Sequence, residues 1–198
     1  MRKLIVCLVV LALVGSVNAN LLNYGGFEEG TSPGGLTGYT VGDNVPLGDA
    51  SSWLVTQTYA GGSDNLWCLG TGYGGLIAPE GNALFHIGDW AETGRIEQSF
   101  ATEIGKTYDL SFYGNSWTVG DAPLDITVGD LAVTATLPTY LTGWGFFQYS
   151  FTATDTTSTL DIYNPSGTAG NIDDFVIVPE PATICLLGLG GLVLRRKR

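Results

Sequence analysis

Between Asn20 and Val178 the apolar residues recur at every second position, in short runs separated by glycine-rich breaks. An extended chain turns alternate side chains to opposite faces, so this period predicts strands and not helices. The best-marked runs are Ala83–Ile87, Arg95–Phe100, Thr107–Tyr113, Leu124–Val128, Leu131–Leu137, Phe146–Thr152, Thr159–Tyr163 and Ile172–Val178. Leu21–Phe27 and Trp53–Tyr59 are weaker candidates. Gly129-Asp130, between Val128 and Leu131, has the residue types of a tight hairpin turn. No window of this region has a helical period. Many short strands without helices predict an all-β fold, an antiparallel β-sandwich of the jelly-roll kind. The glycine-rich stretch from Gly25 to Gly81 reads as irregular, and loops there are where a binding surface is expected.

Both ends depart from the pattern. Met1-Arg2-Lys3 is basic, Leu4 to Gly15 is uninterrupted apolar sequence, and Val17-Asn18-Ala19 supplies small residues for cleavage. These are the three parts of a secretory signal peptide, 1–19, so the mature chain is expected to begin at Asn20. At the other end, Pro179, Glu180 and Pro181 precede an apolar stretch, Ala182 to Leu194, and the cations Arg195, Arg196, Lys197 and Arg198. The paired prolines predict an exposed, extended joint. The apolar stretch has 13 residues, fewer than the roughly 20 of a stable spanning helix. It therefore reads as a short hydrophobic helix used as a temporary anchor, with its cations held on the cytoplasmic side. In its three blocks and their order, the tail resembles the PEP-CTERM sorting signals of Gram-negative bacteria, which are processed by the membrane enzyme exosortase. The resemblance implies passage through the inner membrane and delivery to the cell surface or extracellular matrix. The expected organisation is signal peptide 1–19, β-sandwich 20–177 and sorting signal 178–198.

Without its ends the chain is strongly acidic. Six of the eight Lys and Arg residues lie in the two signals, leaving Arg95 and Lys106 against eighteen acids, a net charge of −16. Such a body repels nucleic acid, whose phosphates are bound by Lys and Arg. Divalent cations and neutral sugars remain as partners. Cys7 and Cys185 fall in the end segments, so Cys68 is the one cysteine of the body and is read as a small apolar side chain.

The order of motifs in the body carries a second resemblance. Asn20-Leu-Leu-Asn-Tyr-Gly-Gly-Phe-Glu28 is followed by Trp53, by Glu97-Gln-Ser-Phe100, by Gly105-Lys-Thr-Tyr-Asp-Leu-Ser-Phe112, by Gly143-Trp-Gly-Phe-Phe-Gln-Tyr-Ser-Phe151 and by Gly170-Asn-Ile-Asp-Asp-Phe175. This series resembles the galactose-binding-like jelly rolls, which include several families of carbohydrate-binding module. The resemblance implies a structural calcium between the first and last strands, with Glu28 and Asp173 at the matching positions. Strand alternation groups Asp173 with Phe175 and Ile177 and predicts a buried carboxylate that needs a cation. The alternative is a pair of solvated acids at strand ends.

Five tryptophans, Trp53, Trp67, Trp90, Trp117 and Trp144, are many for a body of this size. Most are expected to fill the core, and Trp144, entering a strand, is read as core. Trp67, Tyr73 and Trp90 lie in or beside glycine-rich loops and are the candidates for a sugar-stacking platform. Catalysis has little to stand on. His86 is the one histidine and falls inside a strand, and neither a Gly-x-Ser-x-Gly elbow nor a phosphate-binding glycine loop is present. Eighteen acids always offer some pair at a suitable distance for glycoside hydrolysis, so glycoside hydrolase stands as the alternative. The expected protein is secreted, not an enzyme, and binds polysaccharide or serves as a structural component of the matrix.

Overall fold

The computed structural model describes residues 19–57, 66–88, 93–118, 122–166 and 168–180. The described residues form twelve strands: β1 Leu36–Tyr39, β2 Asn44–Val45, β3 Trp53–Gln57, β4 Leu66–Gly70, β5 Ala83–Ile87, β6 Gly94–Ala101, β7 Thr107–Ser116, β8 Ala122–Val128, β9 Leu131–Leu137, β10 Gly145–Thr152, β11 Thr157–Asn164 and β12 Gly170–Pro179. They pair antiparallel into two six-stranded sheets. Sheet A has the order β1-β4-β5-β12-β7-β10, and sheet B the order β2-β3-β6-β11-β8-β9.

The two-residue alternation holds where it was clearest. In β6 Ile96, Gln98 and Phe100 are buried while Arg95, Glu97 and Ser99 are not. The Val128–Leu131 hairpin closes through Gly129 at φ 56°. The stretch 25–81 contains β1 to β4, so it is not the irregular region that its glycines suggested. Leu21–Phe27, by contrast, forms bends and turns. Tyr24 and Phe27 both adopt φ 55°, a left-handed conformation that interrupts an extended chain.

Aromatic residues from both sheets meet between them. Phe112 stacks on Phe175 at 4.7 Å between ring centroids, Phe27 on Phe85 at 5.0 Å, and Trp53 meets Phe175 edge-on at 5.5 Å. Trp53 is fully buried, and its indole N–H is satisfied by Tyr24 O at 3.1 Å. Cys68 lies in this core and is apolar in role, its thiol pushed up to about 12 by burial and by the Asp173 and Glu28 carboxylates.

A second, smaller apolar cluster lies outside the sandwich. Leu69 and Leu84, paired across β4 and β5, pack with Leu76 and Ala78 of the following loop, and Trp67, Trp117 and Trp144 lean on them. The outer face of sheet A is thus covered over part of its area by loop 71–82. Trp144 belongs to this outer cluster, half-buried, and not to the core between the sheets as its approach to β10 suggested.

Candidate functional site

A row of polar side chains crosses the outer face of sheet A. The register aligns Trp67, His86, Asn171 and Asn115 on β4, β5, β12 and β7. Asn171 Nδ2–H donates to Asn115 Oδ1 at 2.7 Å, and Asn171 Oδ1 lies 2.7 Å from His86 Nδ1. With the amide group committed to Asn115, Asn171 Oδ1 is the acceptor, which places the proton on His86 Nδ1. All three side chains are buried, so the network fixes its own geometry.

Aromatic rings surround this row. Trp117 meets His86 edge-on at 5.9 Å, and Tyr140 stacks on Trp117 at 6.4 Å. The turn Tyr73–Gly75 lies against Trp117 so closely that a Cβ on Gly74 would come within 2.3 Å of the indole. Trp144 Nε1–H donates to Ile77 O at 2.9 Å. Tyr73, Ile77, Tyr140 and Leu141 are exposed around these rings, and Phe146, paired with Tyr113, extends the apolar surface along β10. Neither body cation points here: Arg95 is paired with Asp161 on sheet B and Lys106 with Glu103 at 2.9 Å.

Of the sequence candidates, Trp67 and Tyr73 both belong to this patch, whereas Trp90 lies outside the described residues. Trp117, Tyr140 and Trp144 were missed as candidates. They come from three separate segments, and nothing in their local spacing marks them as neighbours.

Glu28 and Asp173 do come together. Glu28 accepts from the amides of Asn82 at 2.7 Å and Ala83 at 3.3 Å. A methyl on Gly26 would lie 3.9 Å from Glu28 Oε1 and 4.0 Å from Asp173 Oδ1. Asp173 is wholly buried. Its Oδ1 accepts from the Asp174 amide at 2.7 Å, and its Oδ2 has no partner among the described residues. Burial first, then the nearby Glu28 carboxylate, raises its pKa to about 8, against the opposing pull of the Asp174 and Glu80 backbone amides. Asp173 is opposite Tyr113, away from Ile172, Phe175 and Ile177, because a bulge between Asp173 and Val176 reverses the alternation. It is therefore buried under the loops over sheet A and not grouped with Phe175 and Ile177 as alternation alone predicts. Among the described residues no group of three or more His, Cys, Asp or Glu side chains is placed to hold a metal. The cradle offers two carboxylates, one carrying an unpartnered oxygen, and a cation there would draw its other oxygens from the backbone.

The Pro-Glu-Pro element begins inside the sheet. Pro179 ends β12, and Glu180 N–H donates to Thr107 O at 3.0 Å. Both residues are half-buried, so this part of the joint is not exposed, while Pro181 and the segments after it lie outside the described residues. No helix among the described residues is long and apolar enough to cross a membrane.

Residues 178–198 match the PEP-CTERM protein-sorting motif, which indicates export to the cell envelope or surface. No curated protein matches the chain. Among solved structures, the fold is similar to TmCBM61 in complex with beta-1,4-galactotriose, with a TM-score of 0.55 and 17% identity over 82% of this chain and 99% of the other. CBM4 gives a TM-score of 0.49 at 16% identity, over 80% of this chain and 99% of that one. A family 35 carbohydrate-binding module from Clostridium thermocellum gives 0.44 at 18% identity, over 64% and 97%. The chain therefore joins a β-sandwich of the kind seen in carbohydrate-binding modules to a PEP-CTERM protein-sorting motif at its C-terminus.

Proposed function

We propose that this protein is a non-catalytic, neutral-glycan-binding component of the cell surface or extracellular matrix, delivered there by its sorting motif. The observation that carries this reading is the patch on sheet A, where Trp117, Tyr140 and Trp144 flank the row His86–Asn171–Asn115. Flat rings accept the C–H faces of sugars, and the buried row of amides and imidazole beneath them holds Trp117 in a fixed position. With both described cations of the body paired elsewhere, the patch has no countercharge for uronates or sulfated sugars. The mature secreted protein is expected to bind neutral polysaccharides on a glycan array. Binding confined to anionic glycans, or to none, would overturn the reading.

In this reading exosortase is the processing partner, and the tail holds the protein in the inner membrane only transiently. Mass spectrometry of extracellular protein is expected to find chains that begin at Asn20 and lack Arg195 to Arg198. Extracellular chains that keep the basic end would refute the sorting role.

Calcium completes the account as a structural ion held by Glu28 and Asp173. The unpartnered Asp173 oxygen supports the assignment, because a buried carboxylate with half its acceptor capacity unused needs a cation or a proton. Gly81 belongs to the same arrangement. It adopts φ 58°, and a Cβ there would come within 2.1 Å of Glu28 Oε1, so only glycine lets the loop close over this carboxylate.

A further inference from the structure

The last strand of sheet A runs without a linker into the sorting motif. Val178 pairs with Asp109 and Pro179 with Tyr108, and Glu180 donates to Thr107 O. In an antiparallel ladder successive residues turn their backbone groups to opposite sides. Because Glu180 bonds to β7, Val178 does too, whereas Phe175, Ile177 and Pro179 face the other way. Pro179, which has no N–H to give, therefore occupies a position where β7 asks for none.

The partner on that other side is the segment from Asn20 to Gly25. Leu21 N–H donates to Ile177 O at 2.9 Å, and Phe175 N–H to Gly25 O at 2.9 Å. Asn20 bridges them: its Nδ2–H donates to Phe175 O at 2.8 Å, and its Oδ1 accepts from Ile177 N–H at 2.9 Å. The residue expected to follow signal-peptide cleavage thus ties down the strand that leads into the C-terminal signal.

An enzyme that reads an extended segment does so by pairing with its backbone. From Phe175 to Val178 the strand is bonded along both edges, and Glu180 is held by β7, so the approach to the motif offers no free length of strand for this. We infer that the sandwich holds its own sorting motif closed: β7 and the Asn20 bridge clamp the end of β12, and the sorting enzyme engages Pro179–Glu180 only after the last rungs have opened. This rests on residues 178–198 acting as a processed signal. Opening is local, confined to the strand end, and leaves the aromatic core between the sheets intact.

The test follows loss of the C-terminal tail by pulse-chase, with the full chain expressed in a Gram-negative host that carries the sorting enzyme. Val178→Cys with Asp109→Cys places two thiols directly opposite each other, at the roughly 5.5 Å Cα separation that a disulfide accepts. The cross-linked chain is expected to keep its tail roughly tenfold longer or more, and reductant should restore the wild-type rate. Asn20→Ala removes two bonds to β12 and should speed tail loss on the order of fivefold. Equal rates for cross-linked and wild-type chains would overturn the clamp while leaving the sorting role intact. A wild-type chain that never loses its tail would overturn both. Slow processing that reductant fails to restore would mean a damaged fold and not a closed strand, and would count against the clamp as well.

Discussion

Without divalent cations the sandwich is expected to lose stability as the pH rises from about 4 to about 8, and calcium is expected to restore it. The group responsible is Asp173, whose pKa rises from 3.8 to about 8 in the folded chain through burial and the neighbouring Glu28 carboxylate. Below pH 4 the carboxyl is protonated whether the chain is folded or not, so it costs nothing. Between the two pKa values the unfolded chain releases this proton and the folded chain keeps it. Stability therefore falls throughout this window and is lowest above pH 8. Each pKa unit corresponds to about 1.4 kcal/mol, so the loss amounts to a few kcal/mol. A cation reverses the preference, since it requires the ionised carboxylate. The calcium effect should thus be small at pH 5 and large at pH 8, where a hundredfold excess over the dissociation constant adds about 2.7 kcal/mol. For a domain of this size that is a rise in Tm on the order of 5–10 °C. Calorimetry in chelator and in calcium across this pH range measures both effects. Asp173→Asn should flatten the pH dependence in chelator and abolish the calcium response. A Tm that ignores both pH and chelator would remove the buried carboxylate and its ion from the account.

Trp117→Ala is expected to weaken binding of a neutral oligosaccharide by roughly 30- to 150-fold, the 2–3 kcal/mol typical of a central aromatic anchor. Trp117 touches His86, Tyr140 and the Tyr73–Gly75 turn at once, so its removal breaks up both the ring surface and the polar row beneath it. It lies outside the core between the sheets, and the loss of Tm should be modest beside the loss of affinity. Ile104→Ala, at an exposed residue beside the start of β7, removes apolar surface far from the patch and should leave binding unchanged. Titration calorimetry with the best glycan from the array decides the matter. Equal affinities for Trp117→Ala and the parent would place the binding surface elsewhere.

The sequence was most legible where one face of a strand meets solvent. β6 to β11 alternate cleanly, so their residue types announced them. Leu66–Gly70 was missed for the opposite reason: the core lies on one side of β4 and the outer cluster on the other, so no polar alternation survives. Leu21–Phe27 has strand-like residues, but Tyr24 and Phe27 at φ 55° turn the chain. The orientation of Asp173 depended on one inserted residue, and a bulge has no signature in the alternation it breaks. Glu28 and Asp173 could be paired through the order of family motifs. Trp117, Tyr140 and Trp144 converge only through the packing of loops on sheet A, which no local pattern encodes.

The direction of β12 also fixes how the patch is presented. Asn171, in the polar row, stands eight residues before Pro179, where the strand meets the sorting motif. At about 3.3 Å per residue this is a standoff on the order of 25 Å. A body tethered through its C-terminal end would therefore carry its aromatic rings at the distal pole, with the binding face turned sideways along the strand. A polymer lying parallel to the envelope could cross that face without the sandwich having to tilt. Neighbouring copies on the same surface would offer their patches at one common height, so a single long glycan could be gripped by many molecules in a row.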